Sequence, residues 1–258
     1  MSINYVGNGK VELISSPTRC YVDLAAKFTR TEDPLDKIIA SKENPDLVRK
    51  IIDCGHLAAT EFDVYIFAVE GYSRVCEAQL IRKRLASYMI KSGRVDKHGK
   101  RSYDIVLPKN ILDVSFDYCG ETIDTNEVLN ILECWYTSGV MQGFPEEDLR
   151  YMKPQATEFK ALIAMDAHAL IDWFKIRCCM NAQAEIRDMA CKMLKLCKED
   201  NPVLFEKAGP NCVSLGYCPE NSFQNKNCNV IKKNDAIKIL DAVKKAGIKN
   251  AEELLEVM

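Results

Sequence analysis

Residues 82–94 constrain this chain more than any other stretch of its sequence. They hold three arginines, two lysines and two serines at the junction between a predicted helix and a predicted loop. Ser92, Gly93 and Arg94 offer a hydroxyl, a residue that lets backbone N–H groups approach closely, and a forked cation. This combination suits a phosphate or a nucleotide, but a solvated basic surface has the same spacing. Both interpretations remain open from this segment alone.

The residues on either side predict a helix between two strands. Residues 64–69 are rich in β-branched and aromatic side chains and predict a strand, and residues 103–107 predict a second one. Between them, apolar residues recur at helical intervals over residues 75–90. If that helix forms, Gln79 and Arg82 share one of its faces, because residues three apart are neighbours on a helix surface.

Several further helices are predicted after this region. One is expected from an N-cap at Thr125 through Tyr136, and a short one begins at Pro145 and carries Arg150. Two long helices are predicted over residues 158–176 and 182–198. Glycine, proline, asparagine and serine crowd residues 208–229, which predicts a loop. Residues 236–258 predict two short amphipathic helices that meet at Gly247.

Length and charge limit the classes of protein and partner. A chain of 258 residues can form one large domain or two small ones with a substantial core. The net charge of −2 gives no bulk electrostatic case for a nucleic-acid polymer or a membrane surface as partner. Apolar runs are too short to span a bilayer, and the first residues lack the layout of a signal peptide. The sequence therefore predicts a soluble, cytoplasmic protein.

The twelve cysteines predict reduced thiols rather than a disulfide framework, because no export signal accompanies them. Cys212, Cys218 and Cys228 lie in the predicted loop. With Cys179 upstream, they could form a four-thiolate site for structural zinc or an iron–sulfur cluster. Their spacing lacks the tight Cys-x-x-Cys pair, and free cysteines are commonly small buried apolar residues. A metal site and a set of buried thiols both remain open.

Four segments resemble, in order, the flavin-dependent thymidylate synthase family. The family patterns are Gly-His…Glu, Arg-His-Arg-x-x-Ser-x-x-x-x-Ser-x-Arg, Ala-Arg-x-x-Leu-Pro and Leu-Arg…Ala-Gln-x-Glu-Ile-Arg. The matching segments cover residues 55–61, 82–94, 148–154 and 177–187. A single pattern carries little weight. Four in the right order make the chain similar to this family from its amino terminus to about residue 205.

The resemblance implies an α+β fold with a β-sheet flanked by long helices. It places a catalytic domain over residues 1–207, followed by a cysteine-containing loop over 208–230 and a small helical appendage over 231–258. The implied activity is reductive methylation of dUMP at ring carbon 5 to dTMP. Methylenetetrahydrofolate would donate the carbon, and NADPH would reduce FAD. The implied assembly is a homotetramer whose active sites are shared between subunits.

The family's dUMP-binding positions can be traced one at a time. Those around the phosphate and sugar match Gln79, Ser92, Gly93, Arg94 and Arg150, and those against the ring match Arg82 and Arg177. Arg177, Arg82 and Ser92 form the expected catalytic set, in which the arginines stabilise negative charge on the pyrimidine. The matching serine in the family contacts the nucleotide and is not a covalent catalyst. Taken alone, Arg177 could equally be a favourable charge at a helix C-terminus.

The expected FAD-binding positions depart further from the family pattern. They are His56, Lys83, Arg84, Asp166, His168 and Asp172. Lys83 replaces a histidine, and residues 166–172 stand where the family has Asn-x-Arg-x-x-x-Asn. An aspartate beside a pyrophosphate costs on the order of 1 kcal/mol of repulsion in a solvated cleft. Three readings remain: a synthase with a repacked FAD pocket, a homologue with another cofactor or nucleotide modification, and a nucleotide-binding protein without turnover.

Overall fold

Residues 3–93 and 103–245 are described by the computed structural model, and they form an α+β fold as predicted. The strands are β1 Ile3–Tyr5, β2 Lys10–Ser15, β3 Val64–Ser73, β4 Ser87–Ile90, β5 Ile105–Leu107, β6 Ser115–Tyr118, β7 Glu121–Asp124 and β8 Glu158–Asp166. The α-helices are α1 Val22–Arg30, α2 Leu35–Ile39, α3 Pro45–Asp53, α4 Arg74–Leu80, α5 Thr125–Met141, α6 Glu146–Leu149, α7 Ala167–Arg177, α8 Ala184–Asp200, α9 Asn211–Leu215 and α10 Lys233–Lys245. Short 3-10 helices cover Leu57–Phe62, Lys109–Ile111, Arg150–Met152 and Asn221–Phe223.

A four-stranded antiparallel sheet in the order β2-β3-β8-β4 lies at the centre. β8 runs from Glu158 to Asp166, and these two residues mark the two ends of the sheet. β4 is antiparallel to β8, with Ser87 opposite Ala164. The residues that precede β4 therefore lie towards the Asp166 end, and those that follow it lie towards the Glu158 end.

One face of this sheet forms the main core with α4, α7 and α8. The core side chains with almost no solvent exposure include Tyr65, Phe67, Phe159, Ile163, Met165, Leu170, Phe174 and Phe205. Fully burying an apolar side chain of this size stabilises the fold by about 1.5–3 kcal/mol. This core holds β8 and the helix that follows it in place, and so it positions both ends of the sheet.

A second, smaller core cluster supports the segment that carries Arg150. Its buried members include Tyr103, Leu129, Tyr136 and Leu149, which join α5 and α6 to the start of β5. The absence of a side chain at Gly139 of α5 allows Leu149 to approach, because a Cβ there would collide with its methyl groups. α5 and α6 are thereby packed together immediately before Arg150.

The helix predicted over residues 75–90 is wrong in its second half. α4 ends at Leu80, and β4 follows after a short turn. In β4 the half-buried Tyr88 and Ile90 pack on the core, while Ser87 and Met89 are exposed. Alternate burial of this kind is the period of a strand, and pairing with β8 overrides the helical spacing of the apolar residues.

The helix predicted over residues 158–176 is also wrong in its first half. Residues 158–166 form β8, and the helix begins only at Ala167. Asp166 ends the strand and caps the helix, since its Oδ1 accepts a hydrogen bond from the Ala169 N–H at 2.7 Å. The sequence did not predict this strand, because Leu162 and Ala164 on its outward face are apolar too. Apolar and polar residues therefore do not alternate as they do in a typical half-buried strand.

The other predicted elements are confirmed with shifted ends. α5 begins at Thr125 but is capped by Asp124, which forms a capping box with Glu127, and it continues to Met141. The strands predicted over 64–69 and 103–107, the short helix after Pro145 and the helix predicted over 182–198 correspond to β3, β5, α6 and α8. Arg150 itself lies in the following 3-10 helix.

Residues 208–229 were predicted to be a loop, but they contain two short helices, α9 and the 3-10 helix Asn221–Phe223. The second predicted terminal helix, after Gly247, lies outside the described residues. The division at residues 207 and 230 stays a prediction. Among the helices of residues 3–93 and 103–245, none is both long and apolar enough to cross a membrane.

Candidate functional site

A cavity of about 890 Å³ opens at the Glu158 end of the sheet. Its walls come from α4, the segment after β4, the start of β5 and the residues after α6. The basic lining residues are Arg74, Lys91, Arg150, Lys153 and Lys160, and the acidic ones are Glu77, Asp104 and Glu158. Positive side chains outnumber negative ones, five to three, although Arg74 is paired with Glu77 and Lys160 with Glu70. The excess of cations favours an anionic ligand.

Three of the predicted nucleotide-binding residues line this cavity: Ser92, Gly93 and Arg150. The backbone that leads to Ser92 is held on both sides. The Lys91 N–H donates to the Lys160 carbonyl at 2.8 Å, and the Arg74 guanidinium donates to the Lys91 carbonyl at 2.9 Å. A hydroxyl, a glycine and a forked cation therefore line one cavity, with Arg150 as the cation. Arg94, the cation of the motif, lies outside the described residues.

Lys153 is a cavity residue that the sequence analysis missed. Its ammonium lies 4.2 Å from the ring centroid of Tyr136 and 5.4 Å from that of Tyr103. Cation–π contacts with two buried rings hold the charge at the cavity wall. The signal was present, because Lys153 stands at the leucine of the family's Ala-Arg-x-x-Leu-Pro pattern. A cation in place of an apolar residue beside Arg150 adds to the positive charge of the site.

Gln79 and Arg177 form a second group, and neither is among the described residues that line the cavity. The Arg177 guanidinium donates to the Gln79 carbonyl at 3.3 Å, and the Gln79 amide donates to Gln183 Oε1 at 3.4 Å. The α4 residues that line the cavity are Arg74, Glu77 and Ala78. Gln79 points elsewhere, because successive residues of a helix point about 100° apart. Arg82 is exposed in the turn after α4, and Arg94 lies outside the described residues.

A buried carboxylate fixes the start of α4. Glu185 at the start of α8 is only 1% exposed. It accepts hydrogen bonds from the backbone N–H and the hydroxyl of Ser73, both at 2.6 Å. The Ser73 hydroxyl in turn accepts from the Cys76 N–H at 3.3 Å and so caps α4. Burial raises the pKa of Glu185, although the hydrogen bonds from Ser73 oppose the increase.

Most of the predicted flavin-binding residues lie on segments at or near the Asp166 end of the sheet. His168 Nδ1 lies 3.0 Å from Glu61 Oε1, and its Nε2 lies 3.7 Å from Asp172 Oδ2. The Lys175 ammonium donates to Asp172 Oδ1 at 3.0 Å. The imidazole is thus placed between two carboxylates, one of which is also paired with a lysine. Acidic side chains therefore outnumber the lysine in this group.

The three other predicted flavin residues lie on neighbouring segments. Lys83 is half-buried and Arg84 is exposed, and both precede β4. The Tyr88 hydroxyl donates to the Lys83 carbonyl at 2.9 Å, which ties this turn to β4. His56 is exposed directly before the 3-10 helix that carries Glu61, and it lines an apolar groove of about 720 Å³ between α1 and α3.

β4 connects the two groups of predicted ligand-binding residues. Lys83 and Arg84 precede it, and Ser92 and Gly93 follow it. Its four residues span roughly 13 Å at about 3.3 Å per residue. Ser92 and Gly93 on the nucleotide side therefore lie at the opposite end of one short strand from Lys83 and Arg84 on the flavin side. Arg82 is the exception, because it precedes the strand beside Lys83.

The predicted metal ligands come near one another but do not form a metal site. Burial raises the pKa of Cys212, and the neighbouring thiols of Cys228, Cys179 and Cys218 add to the increase. Within residues 3–93 and 103–245, however, no group of three or more histidine, cysteine or acidic side chains is arranged to hold a metal ion. The four-thiolate arrangement predicted for zinc or an iron–sulfur cluster does not fit these residues.

Hydrogen bonds tie the cysteine-containing loop to the end of α7. The Asn181 amide donates to the Phe223 carbonyl, and the Asn225 amide donates to the Met180 carbonyl, both at 3.0 Å. Cys218 is paired through its backbone with residues 231–233. The loop therefore has a protein framework of its own.

Comparisons with known proteins agree with the sequence patterns. The family model described as thymidylate synthase complementing protein matches residues 11–203. The flavin-dependent thymidylate synthase of Geobacter sulfurreducens is 31% identical over 77% of this chain and 85% of its own length. That of Thermococcus onnurineus is 37% identical over 69% of this chain and 74% of its own length.

A solved structure with the same fold is the UMP/dUMP methylase PolB from Streptomyces cacaoi, bound with 5-Br dUMP. The match has a TM-score of 0.65 and covers 80% of this chain and 96% of that chain. With 18% sequence identity, this likeness establishes the shared fold alone.

Proposed function

The chain belongs to the flavin-dependent thymidylate synthase family, and from this premise we propose that it methylates dUMP at ring carbon 5 to give dTMP. The observation that carries the proposal is the basic cavity in which Ser92, Gly93 and Arg150 lie together. Methylenetetrahydrofolate is the proposed carbon donor, and NADPH is the proposed source of reducing equivalents. FAD, when bound, carries those equivalents to the transferred carbon.

The cavity supplies the contacts that a nucleotide phosphate requires. Arg150 offers a forked guanidinium, which matches two phosphate oxygens better than a point charge does. Ser92 offers a hydroxyl, and Gly93 offers a backbone that a ligand can approach closely. Lys153, three residues after Arg150, adds a second cation to the same lining. We assign this group to the phosphate and sugar of dUMP.

The second group is assigned to the pyrimidine ring. Arg177 and Arg82 would stabilise the negative charge that develops on the ring as carbon 5 becomes nucleophilic. The main-chain carbonyl of Gln79 accepts a hydrogen bond from Arg177 and so orients the guanidinium. No cysteine nucleophile is required for this chemistry.

We propose that the two nucleotide groups form one site across a subunit contact. In the proposed homotetramer, the phosphate group of one chain completes the ring group of another. Exposed apolar side chains on the outer face of the central sheet support such an assembly. Ile14, Val64, Met89 and Leu162 point away from the core and are all exposed. Exposed apolar residues on one face are typical of an interaction surface.

The donor chemistry at the Asp166 end fits a pyrophosphate-containing cofactor. Arg84 and Lys83 supply cations there, while Asp166 is occupied as a helix cap and Asp172 is paired with Lys175. The two aspartates therefore oppose an anionic ligand less than their charges alone suggest. His168 between Glu61 and Asp172 favours the competing reading, a pyrimidine-nucleotide-binding homologue with altered cofactor use.

An FAD titration separates these readings. Purified protein is titrated with FAD, with and without dUMP, and followed by flavin fluorescence. We expect saturable binding that changes when dUMP is present, followed by dTMP formation once the folate and NADPH are added. Thermal stabilisation by dUMP without flavin binding would overturn the synthase proposal and favour the homologue with altered cofactor use.

A further inference from the structure

Arg74 is the first residue of α4 and lies in the wall of the basic cavity. Its side chain is only 26% exposed, and its Nη1 pairs with the carboxylate of Glu77, one turn further along the helix. Its Nη2 donates a hydrogen bond to the Lys91 carbonyl at 2.9 Å. One guanidinium therefore connects α4 to the segment that follows β4.

The backbone at the start of α4 is itself anchored. The Arg74 N–H donates to the Thr157 carbonyl at 2.9 Å, and the Val75 N–H donates to the Gln155 carbonyl at 3.3 Å. Both carbonyls belong to the segment that leads directly into β8, and β8 is held by the main core. The Arg74 side chain therefore extends from a fixed point, unlike a cation on a mobile surface segment.

The segment that Arg74 holds is the one that carries Ser92 and Gly93. Lys91 directly precedes them, and its N–H donates to the Lys160 carbonyl at 2.8 Å, which continues the pairing of β4 with β8. A Cβ added to Gly93 would lie 3.7 Å from Arg74 Nη2, so the glycine also lies beside the guanidinium. The Arg74 fork therefore supports the backbone on which the proposed phosphate contacts depend.

The pairing with Glu77 indicates a different role for Arg74 from that of Arg150. A guanidinium that is already paired with a carboxylate offers less net charge to an anionic ligand. Its planar fork can instead donate to a carboxylate and a carbonyl at fixed angles, which the point charge of a lysine does not reproduce. We propose that Arg74, oriented by Glu77, is a positioning residue that holds Ser92 and Gly93 in place for the nucleotide phosphate. This inference rests on the proposed function, because it takes the cavity to be the phosphate site.

The Glu77→Gln variant distinguishes positioning from simple charge attraction, because the two roles predict opposite effects. The substitution removes a negative charge from the cavity lining, so dUMP binding would tighten if Arg74 acted only through its charge. A positioning role predicts binding weaker by several fold, because the guanidinium loses its orientation. Arg74→Lys keeps the charge and should weaken dUMP binding by about tenfold, the usual cost of a lost charge-assisted hydrogen bond. Calorimetric titration of the full chain measures both variants.

Deoxyuridine, which lacks the phosphate, separates positioning from a general structural defect. The Arg74→Lys and Glu77→Gln proteins should bind deoxyuridine as the wild type does, because only the phosphate contacts are weakened. An equal loss of affinity for dUMP and deoxyuridine would overturn the proposal. Glu70→Gln is the matched control: it removes the same charge, but Glu70 is paired with Lys160 and Lys10. This control should not weaken dUMP binding, and a loss equal to that of Glu77→Gln would contradict the proposal.

Hydrogen exchange at the Lys91 amide tests the positioning without any nucleotide. Exchange should be faster in Arg74→Lys and Glu77→Gln than in the wild type, because the carbonyl of the same residue loses its partner. Unchanged exchange together with weaker dUMP binding would place Arg74 in direct contact with the phosphate and overturn the positioning role. A wild-type protein that does not bind dUMP would refute the proposed function and this inference with it. Wild-type binding that neither variant alters would refute the inference alone.

Discussion

The two ends of β4 are both rich in charge, but the charges are arranged differently. At the Glu158 end, basic side chains outnumber acidic ones around the cavity, and Lys153 is held over two aromatic rings. At the Asp166 end, His168 lies between two carboxylates, and Asp172 is paired with Lys175. Ion pairs occur at both ends, because Arg74 pairs with Glu77 and Lys160 with Glu70 at the first. The cavity still has an excess of basic side chains, whereas carboxylates surround the imidazole at the second end.

This contrast explains how the departures from the family pattern can coexist with the fold. Asp166 and Asp172 replace amides, but the first caps α7 and the second has Lys175 as a partner. Aspartate and asparagine cap helices about equally well, so the first change costs the fold little. Each altered residue therefore has a partner within the fold, while Ser92, Gly93 and Arg150 keep the residue types of the motifs.

The largest expected effect in this comparison comes from Arg177→Ala. Removing the charge that stabilises the developing anion should lower turnover by about 10²–10³-fold or more. The fold should survive, because the half-buried guanidinium makes a hydrogen bond to the Gln79 carbonyl but lies outside the main core. Chromatographic measurement of dTMP, with a thermal melt of each sample, checks both points. Unchanged methylation would remove Arg177 from the mechanism.

At the nucleotide end, Arg150→Ala should weaken dUMP binding by about 10- to 100-fold, the usual cost of one or two charge-assisted hydrogen bonds. Lys153→Met keeps the side-chain length and should have a smaller effect in the same direction. Arg49→Ala is the matched control, since Arg49 is exposed and paired with Asp46 and Glu206. Calorimetric titration with dUMP measures all three. Equal affinities for the Arg150 and Arg49 variants would show that the cavity does not bind the phosphate.

At the flavin end, Asp172→Asn should tighten FAD binding by a few fold. The change removes a negative charge that contributes repulsion on the order of 1 kcal/mol in a solvated cleft. Affinity for dUMP should stay the same, because Asp172 lies on α7 and is not among the described residues that line the cavity around Arg150. Asp53→Asn, which breaks an exposed pair with Lys207, serves as the control for surface charge. Weaker FAD binding by Asp172→Asn would reverse the role assigned to this carboxylate.

The smallest expected effect concerns Glu185, the buried carboxylate that fixes the start of α4. Burial raises the pKa of Glu185 above its usual value near 4.5, so the folded state holds this proton more tightly than the unfolded state. Its contribution to stability is therefore present at low pH and is lost as pH rises from about 4.5 through the raised pKa. Glu185→Gln should remove this part of the pH dependence. Urea unfolding of both proteins across that range tests it, and parallel profiles would contradict it.

The motifs predict a set of site residues, and that assignment stays a prediction; the structure adds how these residues are grouped. Ser92, Gly93 and Arg150 line one cavity, although they come from separate motifs. The separation of Gln79 and Arg177 from them could not be predicted, because it depends on which face of α4 packs against the core. Lys153 was missed because a single cation in a motif indicates a ligand only once its neighbours in space are known.

The errors in the fold have a related physical cause. Leu162 and Met89 are apolar although they point away from the core, so β8 and β4 lack the alternation that identifies a strand. The outward apolar face that we assign to subunit contact is thus also the feature that concealed these strands. Helices with polar outer surfaces, such as α8, were predicted nearly to their ends.

The most direct test of the account is complementation between two inactive variants. Arg150→Ala and Arg177→Ala chains are co-expressed with different tags, and mixed oligomers are purified and assayed for dTMP. If each site combines Arg150 of one chain with Arg177 of another, random mixing restores about a quarter of the sites. Arg150→Ala mixed with the Arg150→Ala/Arg177→Ala double variant should restore none. Mixed oligomers that stay as inactive as either parent would contradict a nucleotide site shared between subunits.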